Sequence, residues 1–244
     1  MQTKQLDELF DTYRKGSSYD DAMRDHTFKT FSKYIGNNKA NALEFGCSDG
    51  RMTKQIASLV GTLDVVDGSK KFLEQTRSIG IKNASFTHAL FEDFNSEKKY
   101  DHIFATYVIT HIPDLSAFYT KVKDLLRPEG TFFVAIPNSR VLSRQLALHM
   151  GLLSDLMILS ENDKNHGHCR AYDRVHLNRE LGEHGFEIIA QGGILLKPLA
   201  DFQMDQLIDT GVLKKEQLDG LYSLGQEYPD LCGAIFAVCK KRVL

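Results

Sequence analysis

The sequence predicts an α/β fold in which helices cover a parallel β-sheet. From Asn41 onward, short apolar segments alternate with amphipathic segments, which is the pattern of consecutive βαβ units. The 244 residues, 42% of them hydrophobic, suffice to bury the core of one large domain. Neither an internal repeat nor a low-complexity linker divides the chain, so we expect a single domain over residues 1–244. The predicted strands are "ALEF", "TLDVV", "ASFTHA", "DHIFATY", "TFFVAIP", "FEIIAQGGILL" and "GAIFAVCKK".

Helical segments are predicted before the first strand and after the fifth and sixth strands. Apolar residues recur at helical spacing within residues 1–39, which predicts two N-terminal helices separated at "KGSS". Residues 138–165 read as a helical insertion, and "DRVHLNRELGEHG" reads as a helix that ends at Gly185. A further helical segment is predicted over residues 200–230, before the last strand.

Composition narrows the classes of partner and compartment. The formal net charge of −2 gives no basic excess, so we expect a small-molecule substrate and no nucleic acid. The four cysteines form no CxxC pair, which argues against a structural zinc site and a disulfide framework and favours the cytoplasm. The chain begins without the apolar stretch of a signal peptide, and no segment approaches the roughly 20 apolar residues of a membrane span.

The first predicted strand ends in an acid followed by a glycine-rich turn, "ALEFGCSDGRM", residues 42–52. Gly46 and Gly50 let the backbone turn tightly and approach a ligand, because neither carries a Cβ atom. Ligands of open parallel sheets lie beyond the carboxyl ends of the strands. Because a turn of this kind does not need Glu44 for folding, we expect the glutamate to meet a bound molecule.

The second predicted strand ends at Asp67, about 20 residues beyond the glycine turn, where an acid is placed to bind both hydroxyls of a ribose. The glycine turn reads G-C-S-D-G and lacks the further spaced glycine of the dinucleotide pattern GxGxxG. The carboxylate of Glu44 is also unfavourable next to a pyrophosphate but suits a cation. Together, the two strand ends predict a nucleoside cofactor other than a dinucleotide.

These motifs resemble those of class I S-adenosylmethionine-dependent methyltransferases, especially the ubiquinone and menaquinone type and bacterial glycan or small-molecule enzymes. The matching segments are "LEFGCSDG", "VVDGS", "HALFEDF", "YDHIFATYVITHIPD" and "LLRPEGTFFVAIPN". The resemblance covers residues 40–138 and extends more loosely to "HGHCRAYDRVHLNRELGEHGFEI". It implies a doubly wound, mostly parallel, seven-stranded Rossmann-like sheet and S-adenosylmethionine as cofactor.

The resemblance also implies roles for individual residues. Glu44 would lie near the methionine ammonium group, and Asp67 would bind the ribose hydroxyls. Further implied cofactor contacts come from Gly46, Cys47, Ser48, Gly50, Gly68, Ser69, Phe91, Glu92 and Ala105. Two positions depart from the family pattern: Leu90 stands where many relatives have aspartate in the adenine segment, and Thr110 replaces a glutamate of the ubiquinone-type relatives.

Candidate acceptor-side residues follow the fourth strand and the insertion. His111 lies at the same sheet edge as the glycine turn, where a histidine with its ordinary pKa of about 6.5 takes a proton from a substrate hydroxyl near neutral pH. A capping or packing role for His111 stays open, and His168 is the second candidate base. We expect Tyr107, Arg170 and Tyr172 to line the acceptor pocket, with a solvated position as the alternative for Arg170.

The resemblance divides the chain by role. Residues 1–39 would form a helical lid, residues 40–138 the cofactor-binding core, and residues 138–172 and 196–231 the acceptor side. His166 and His168 have metal-ligand spacing, but without a nearby carboxylate cluster we expect no metal.

The predicted reaction is methyl transfer from S-adenosylmethionine to a hydroxyl, or less favourably an amine, of a small molecule such as a sugar or glycan precursor. An RNA or protein methyltransferase is one alternative, although "ATYVITH" lacks the Asn-Pro-Pro-Tyr motif. A nucleoside-binding regulatory protein without catalysis is the other. The identity of the acceptor and the oligomeric state stay open.

Overall fold

The computed structural model describes residues 6, 7, 10, 17–36 and 39–242. Its sheet contains seven strands in the order β3-β2-β1-β4-β5-β7-β6. Six of these strands run in one direction, and β7 runs in the opposite direction between β5 and β6. The predicted doubly wound, mostly parallel sheet is therefore confirmed. The strands are β1 Asn41–Phe45, β2 Thr62–Asp67, β3 Ala84–His88, β4 Tyr100–Thr106, β5 Leu126–Pro137, β6 Phe186–Leu196 and β7 Cys232–Lys241.

Helices cover the sheet and extend beyond it after β5 and β6, as the sequence predicts. Short 3₁₀ turns lie at Ser32–Tyr34, Ile109–His111 and Pro229–Leu231. The α-helices in the described ranges are α1 Ser18–Phe31, α2 Arg51–Ala57, α3 Lys70–Ser78, α4 Leu115–Leu125, α5 Leu142–His149, α6 Glu161–Asn165, α7 Arg174–Glu183, α8 Asp201–Asp209 and α9 Lys215–Glu227. Most of the first predicted N-terminal helix falls outside the described residues. None of the helices in those ranges has the length and apolar character that a membrane crossing requires.

The central strands are apolar along most of their length because helices bury both of their faces. On one face, Phe104 of β4 stacks on Phe133 of β5 with ring centroids 4.6 Å apart, and Phe31 of α1 packs against Phe133 at 5.1 Å. On the other face, Phe45 of β1 packs against Phe118 of α4 at 5.3 Å. This two-sided packing fixes the strand ends that carry polar residues.

Strand order reverses at β1, because the chain places β2 and β3 on one side of β1 and β4 on the other. A crevice beyond the carboxyl ends of the strands is expected at such a switch point. The chain leaves β1 through left-handed backbone at Gly46, with φ +82°, and leaves β4 through the same region at Tyr107, with φ +61°. Both turns direct the following residues across the end of the sheet.

Candidate active site

A cavity of about 600 Å³ lies at the carboxyl ends of β1, β2, β4 and β5. Tyr19 and Met23 of α1 line one side of this cavity, and residues of the insertion after β5 line another. Most of the predicted site residues share its wall, namely Glu44, Gly46, Cys47, Ser48, Asp67, Gly68, Ser69, Phe91, Glu92, Tyr107, His111, His168, Arg170 and Tyr172. The topology therefore brings the predicted cofactor and acceptor residues to one enclosure.

Gly46 and Gly50 act differently within the glycine turn. A Cβ atom on Gly46 would lie 2.3 Å from a methyl carbon of Val108, so only glycine fits beside the cavity wall. Gly50 begins α2 with φ +82°, and a Cβ atom there would meet Ile79 and Thr76 instead of the cavity. The structure thus gives Gly50 a role in the turn and not the wall contact that the resemblance implies.

Glu44 is 1% exposed, and its Oε2 atom has no hydrogen-bond partner among the described residues. Burial, assisted by the negative charges of Asp67 and Asp49, raises the pKa of Glu44 to about 8. A cation placed in the cavity would satisfy the unpartnered oxygen and favour the ionised carboxylate. The residues present therefore fit a positively charged ligand group such as an ammonium.

Asp67 is 7% exposed and is held by the neighbouring backbone. Its Oδ2 accepts a hydrogen bond from the N–H of Cys47 at 2.9 Å, and its Oδ1 accepts one from the N–H of Ser69 at 2.8 Å. Burial raises the pKa of Asp67 above its ordinary value, against the effect of these N–H groups. Each oxygen keeps further acceptor capacity, so the carboxylate is oriented to receive two hydroxyl groups.

Aromatic packing forms the wall near the third strand. The Phe91 ring lies 5.2 Å from the Phe45 ring and 6.1 Å from the Phe118 ring. Leu90 lies on the cavity wall, which agrees with apolar packing at the position where relatives carry aspartate. The Ser69 hydroxyl donates to Asp7 at 2.7 Å and accepts the N–H of Phe72, so it serves mainly as the cap of α3.

Ala105 is completely buried within β4 and does not reach the cavity wall. Thr106, the last residue of β4, occupies the wall instead. The backbone contact of Ala105 with the cofactor, which the resemblance implies, stays a prediction.

His111 ends the 3₁₀ turn that follows β4, and its ring lies against that of His168 with centroids 4.8 Å apart at 67°. Its Nδ1 atom is buried and has no hydrogen-bond partner among the described residues. Burial and the adjacent His168 side chain lower the pKa of His111 to about 4. The expectation of titration near pH 6.5 is therefore wrong: the ring is neutral throughout the physiological range.

A family profile for the methyltransferase domain matches residues 17–191, which is more than half of the chain. The chain belongs to the family of class I S-adenosylmethionine-dependent methyltransferases. Its cofactor is S-adenosylmethionine, and the orphaned carboxylate of Glu44 and the glycine cradle at Gly46 fit that molecule.

Curated relatives match parts of the methyltransferase. It is 34% identical over 97 residues to alpha N-terminal protein methyltransferase 1 of Dictyostelium discoideum, a match covering 36% of each chain. It is 26% identical over 129 residues to a ubiquinone biosynthesis O-methyltransferase of Pelagibacter ubique, covering 52% of this chain and 53% of that protein. The matches thus span about a third to about half of the length of these two relatives.

Solved structures share the fold of the methyltransferase over nearly its whole length. The complex of DhpI with SAH is 14% identical and has a TM-score of 0.62, with 99% of this chain and 94% of that chain covered. The N-methyltransferase NodS of Bradyrhizobium japonicum, also with SAH, is 13% identical and has a TM-score of 0.56, with coverage of 93% and 89%. At these identities the likeness establishes the fold.

The three residues predicted to line the acceptor pocket of the methyltransferase lie on its wall, but other protein groups bind their polar atoms. The Tyr107 hydroxyl lies 2.7 Å from the Thr27 hydroxyl of α1. The Tyr172 hydroxyl donates to Glu180, and the Arg170 guanidinium donates to backbone carbonyls of the turn after β4. The proposed alternative of a solvated Arg170 is therefore wrong, and its charge is used to hold that turn.

Sequence reasoning missed three hydroxyl groups on the cavity wall. The hydroxyl oxygens of Tyr19, Thr106 and Thr110 are buried without hydrogen-bond partners among the described residues. Thr106 and Thr110 lie within the quoted "ATYVITH" segment and could have been found from that position. Tyr19 could not, because its approach depends on how α1 packs across the sheet.

Replacing Asp67 by Ala is expected to weaken S-adenosylmethionine binding by about 1.5 to 3 kcal/mol, because hydrogen bonds to a charged group are lost. Isothermal titration calorimetry would measure the change. Asp64→Ala is the matched control, since Asp64 lies on the same strand but binds Lys98 and Tyr100 away from the cavity wall. Unchanged affinity in Asp67→Ala would refute the ribose assignment.

Proposed function

We propose that the methyltransferase methylates a hydroxyl group of a small molecule and that His111 is the general base. The observation that carries this proposal is the position of His111 on the wall shared with Glu44 and Asp67, with an unpartnered, buried Nδ1 atom. The lowered pKa keeps the ring neutral at physiological pH, which leaves the lone pair of the ring available for a proton, at reduced basicity.

The division of labour follows from the charges on the wall. When bound, S-adenosylmethionine supplies a methyl carbon on a sulfonium, and the carbon–sulfur electron pair stays with sulfur as the methyl leaves. Glu44 would pair with the ammonium group, and Asp67 would receive the ribose hydroxyls. His111 would hold the acceptor hydroxyl and take up its proton. Orientation supplies most of the rate increase, because the methyl group is already activated.

The size of the enclosure supports a small acceptor. A cavity of about 600 Å³ falls within the range of small-molecule sites, roughly 300–1,000 Å³. The net charge of −2 does not favour nucleic acid as a partner. A sugar or glycan precursor is a suitable acceptor class, because its hydroxyls could pair with the unpartnered hydroxyls of Tyr19, Thr106 and Thr110.

We also propose a role for each segment of the chain and a cellular location for the protein. Tyr19 and Met23 of α1 line the cavity, which supports a lid within residues 1–39. Wall residues from 138–172 and 196–231 support an acceptor side built by those segments. The four cysteines are all free, which supports a reducing compartment such as the cytoplasm.

Incubation with radiolabelled S-adenosylmethionine and fractionated cell extract tests the proposal. We expect label in a low-molecular-weight product carrying an O-methyl group, identified by mass spectrometry and NMR. Label in an amine product would overturn the O-methylation assignment, and label in RNA or protein would overturn the small-molecule assignment. Cofactor binding without labelling of any fraction would instead indicate a non-catalytic binding protein.

A chelator added to the same assay tests metal independence. We expect no loss of activity, because among the described residues no cluster of three or more histidine, cysteine, aspartate or glutamate side chains could hold a metal ion. Activity that disappears with the chelator and returns with magnesium would contradict this expectation.

A further inference from the structure

Hydrogen bonds connect the turn that carries His111 to the insertion after β5. The N–H of Cys169 donates to the Thr110 carbonyl at 2.9 Å. The Arg170 guanidinium donates to the Ile112 carbonyl at 2.7 Å and the Pro113 carbonyl at 3.1 Å. These contacts fix residues 168–170 relative to His111, although almost 60 residues separate the two segments along the chain.

His168 directly precedes these hydrogen-bonded residues, and its ring packs against the ring of His111. The two ring centroids are 4.8 Å apart, and the rings are inclined at 67°. On its other side, His168 Nδ1 lies 3.5 Å from Asp163 Oδ1, and its backbone N–H donates to the Asp163 carbonyl at 2.9 Å. The His168 ring is thus placed between a carboxylate and the candidate base.

The two oxygens of Asp163 have separate partners. Oδ2 accepts hydrogen bonds from the N–H and hydroxyl groups of Ser160 and from Arg144 at 3.2 Å. Arg144 is itself held by the carbonyl oxygens of Leu156 and Ile158. Because Oδ2 is anchored in this way, Oδ1 is directed to His168.

We propose that Asp163 is a positioning residue, which holds His168 against His111 so that the base keeps one ring orientation. This inference rests on the proposed role of His111 and adds a residue that the sequence did not single out. The acceptor-side insertion, rather than the cofactor-binding core, then completes the machinery for proton removal.

The charges around the pair agree with this arrangement. Burial alone would raise the pKa of Asp163, but His168, Ser160 and Arg144 outweigh it and hold the pKa well below its usual range. Asp163 therefore stays an anion beside the His168 ring. His111 is faced by His168 and by His166 of the same loop, and positive charge on either opposes protonation of His111.

A comparison of Asp163→Asn with Ser160→Ala separates positioning from helix capping. Asp163 and Ser160 form the reciprocal cap of α6, so both substitutions disturb the cap, but only Asp163→Asn removes the carboxylate beside His168. The primary measurement is the NMR pH titration of the His111 ring, assigned by its disappearance in His111→Gln. The second is kcat with labelled methyl transfer at saturating cofactor.

In Asp163→Asn we expect the His111 titration to move downward from about 4, because the variant removes a negative charge beside the two rings. We expect kcat to fall by up to about 10²-fold, because a small displacement of a catalytic group can lower the rate by this factor. Cofactor affinity should be unchanged. Ser160→Ala keeps the carboxylate and two of the three groups that hold Oδ2, so its effect on both quantities should be smaller than that of Asp163→Asn. Equal losses of kcat in the two variants with an unmoved His111 titration would overturn the proposal and leave only a capping role.

His168→Gln provides a second variant that keeps the cap of α6 intact. It should raise the His111 titration, because the adjacent imidazole lowers the pKa of His111, and an unmoved titration would overturn the proposal even if Asp163→Asn fails to fold. The titration is independent of the acceptor and of turnover. Full turnover in His111→Gln would contradict the general-base assignment. A shifted titration of the His111 ring in Asp163→Asn would still support the positioning contact.

Discussion

Replacing His111 by Gln is expected to lower turnover about 10²- to 10⁴-fold while leaving S-adenosylmethionine affinity nearly unchanged. Proton removal contributes in the transition state of hydroxyl methylation and plays no part in holding the cofactor. Steady-state kinetics with a hydroxyl acceptor and cofactor titration by calorimetry measure the two quantities. His166→Gln is the matched control, because it removes another imidazole from the cavity wall without removing the candidate base.

The outcomes of this experiment point to different roles. Weaker cofactor binding in a folded variant would place His111 on the cofactor side, and loss of folded protein would make it a packing residue. Full turnover would contradict the base role and transfer it to His168 or favour an amine acceptor.

The pH profile of the same reaction gives an independent test. Because the pKa of His111 is lowered to about 4, kcat/KM for the acceptor at saturating cofactor should show no His111 limb near neutrality and should fall only as the pH approaches 4. A limb near the ordinary histidine value of about 6.5 that disappears in His111→Gln would contradict the buried, neutral state. Circular dichroism must accompany the acid points, since the unfolded chain takes up this proton first and stability falls between pH 6.5 and 4.

Replacing Glu44 by Gln is expected to weaken S-adenosylmethionine binding by about 3 kcal/mol, or roughly 150-fold, at pH 8. The variant removes the negative charge that meets the cofactor ammonium in a buried position. Calorimetry measures the affinity, and Glu97→Gln is the matched control because Glu97 is exposed and lies away from the cavity wall. Equal affinities of Glu44→Gln and the original protein would contradict the assignment.

Proton release reports the same contact directly. With a pKa of about 8, Glu44 is mostly protonated at pH 7, so pairing with an ammonium should release nearly one proton per cofactor bound. The heat of binding should then differ between phosphate and Tris buffers, which have different ionisation enthalpies. Glu44→Gln should abolish this difference, and buffer-independent heat in the original protein would contradict the raised pKa.

The raised pKa of Glu44 favours proton release on cofactor binding but lowers the stability of the cofactor-free protein at high pH. The pKa of Glu44 in the folded protein lies above its ordinary value of 4.5, so between pH 4.5 and 8 the unfolded chain has released a proton that the folded chain retains. Stability of the protein without cofactor therefore falls as pH rises through this window. At pH 8 the free energy of unfolding of Glu44→Gln should exceed that of the original protein by about 1 to 3 kcal/mol, because the neutral amide places no charge in the buried position. Denaturant titration measures this difference.

Local sequence patterns determined the fold and most of the cofactor side. Alternating apolar segments specify strands and helices, and parallel strands place their carboxyl ends at one edge whatever lies between them. Glu44, Gly46 and Asp67 each stand at the end of a strand, so their meeting follows from position along the chain alone. The sequence did not single out Thr106, which the sharp turn at Tyr107 leaves on the cavity wall.

Tertiary packing decided the acceptor side and the charge states. The approach of Asp163 and His168 to His111 depends on contacts between segments distant in the chain, which no spacing rule encodes. The pKa values of Glu44 and His111 move in opposite directions from their ordinary values because burial disfavours the charged form of each, and burial is a property of the assembled fold.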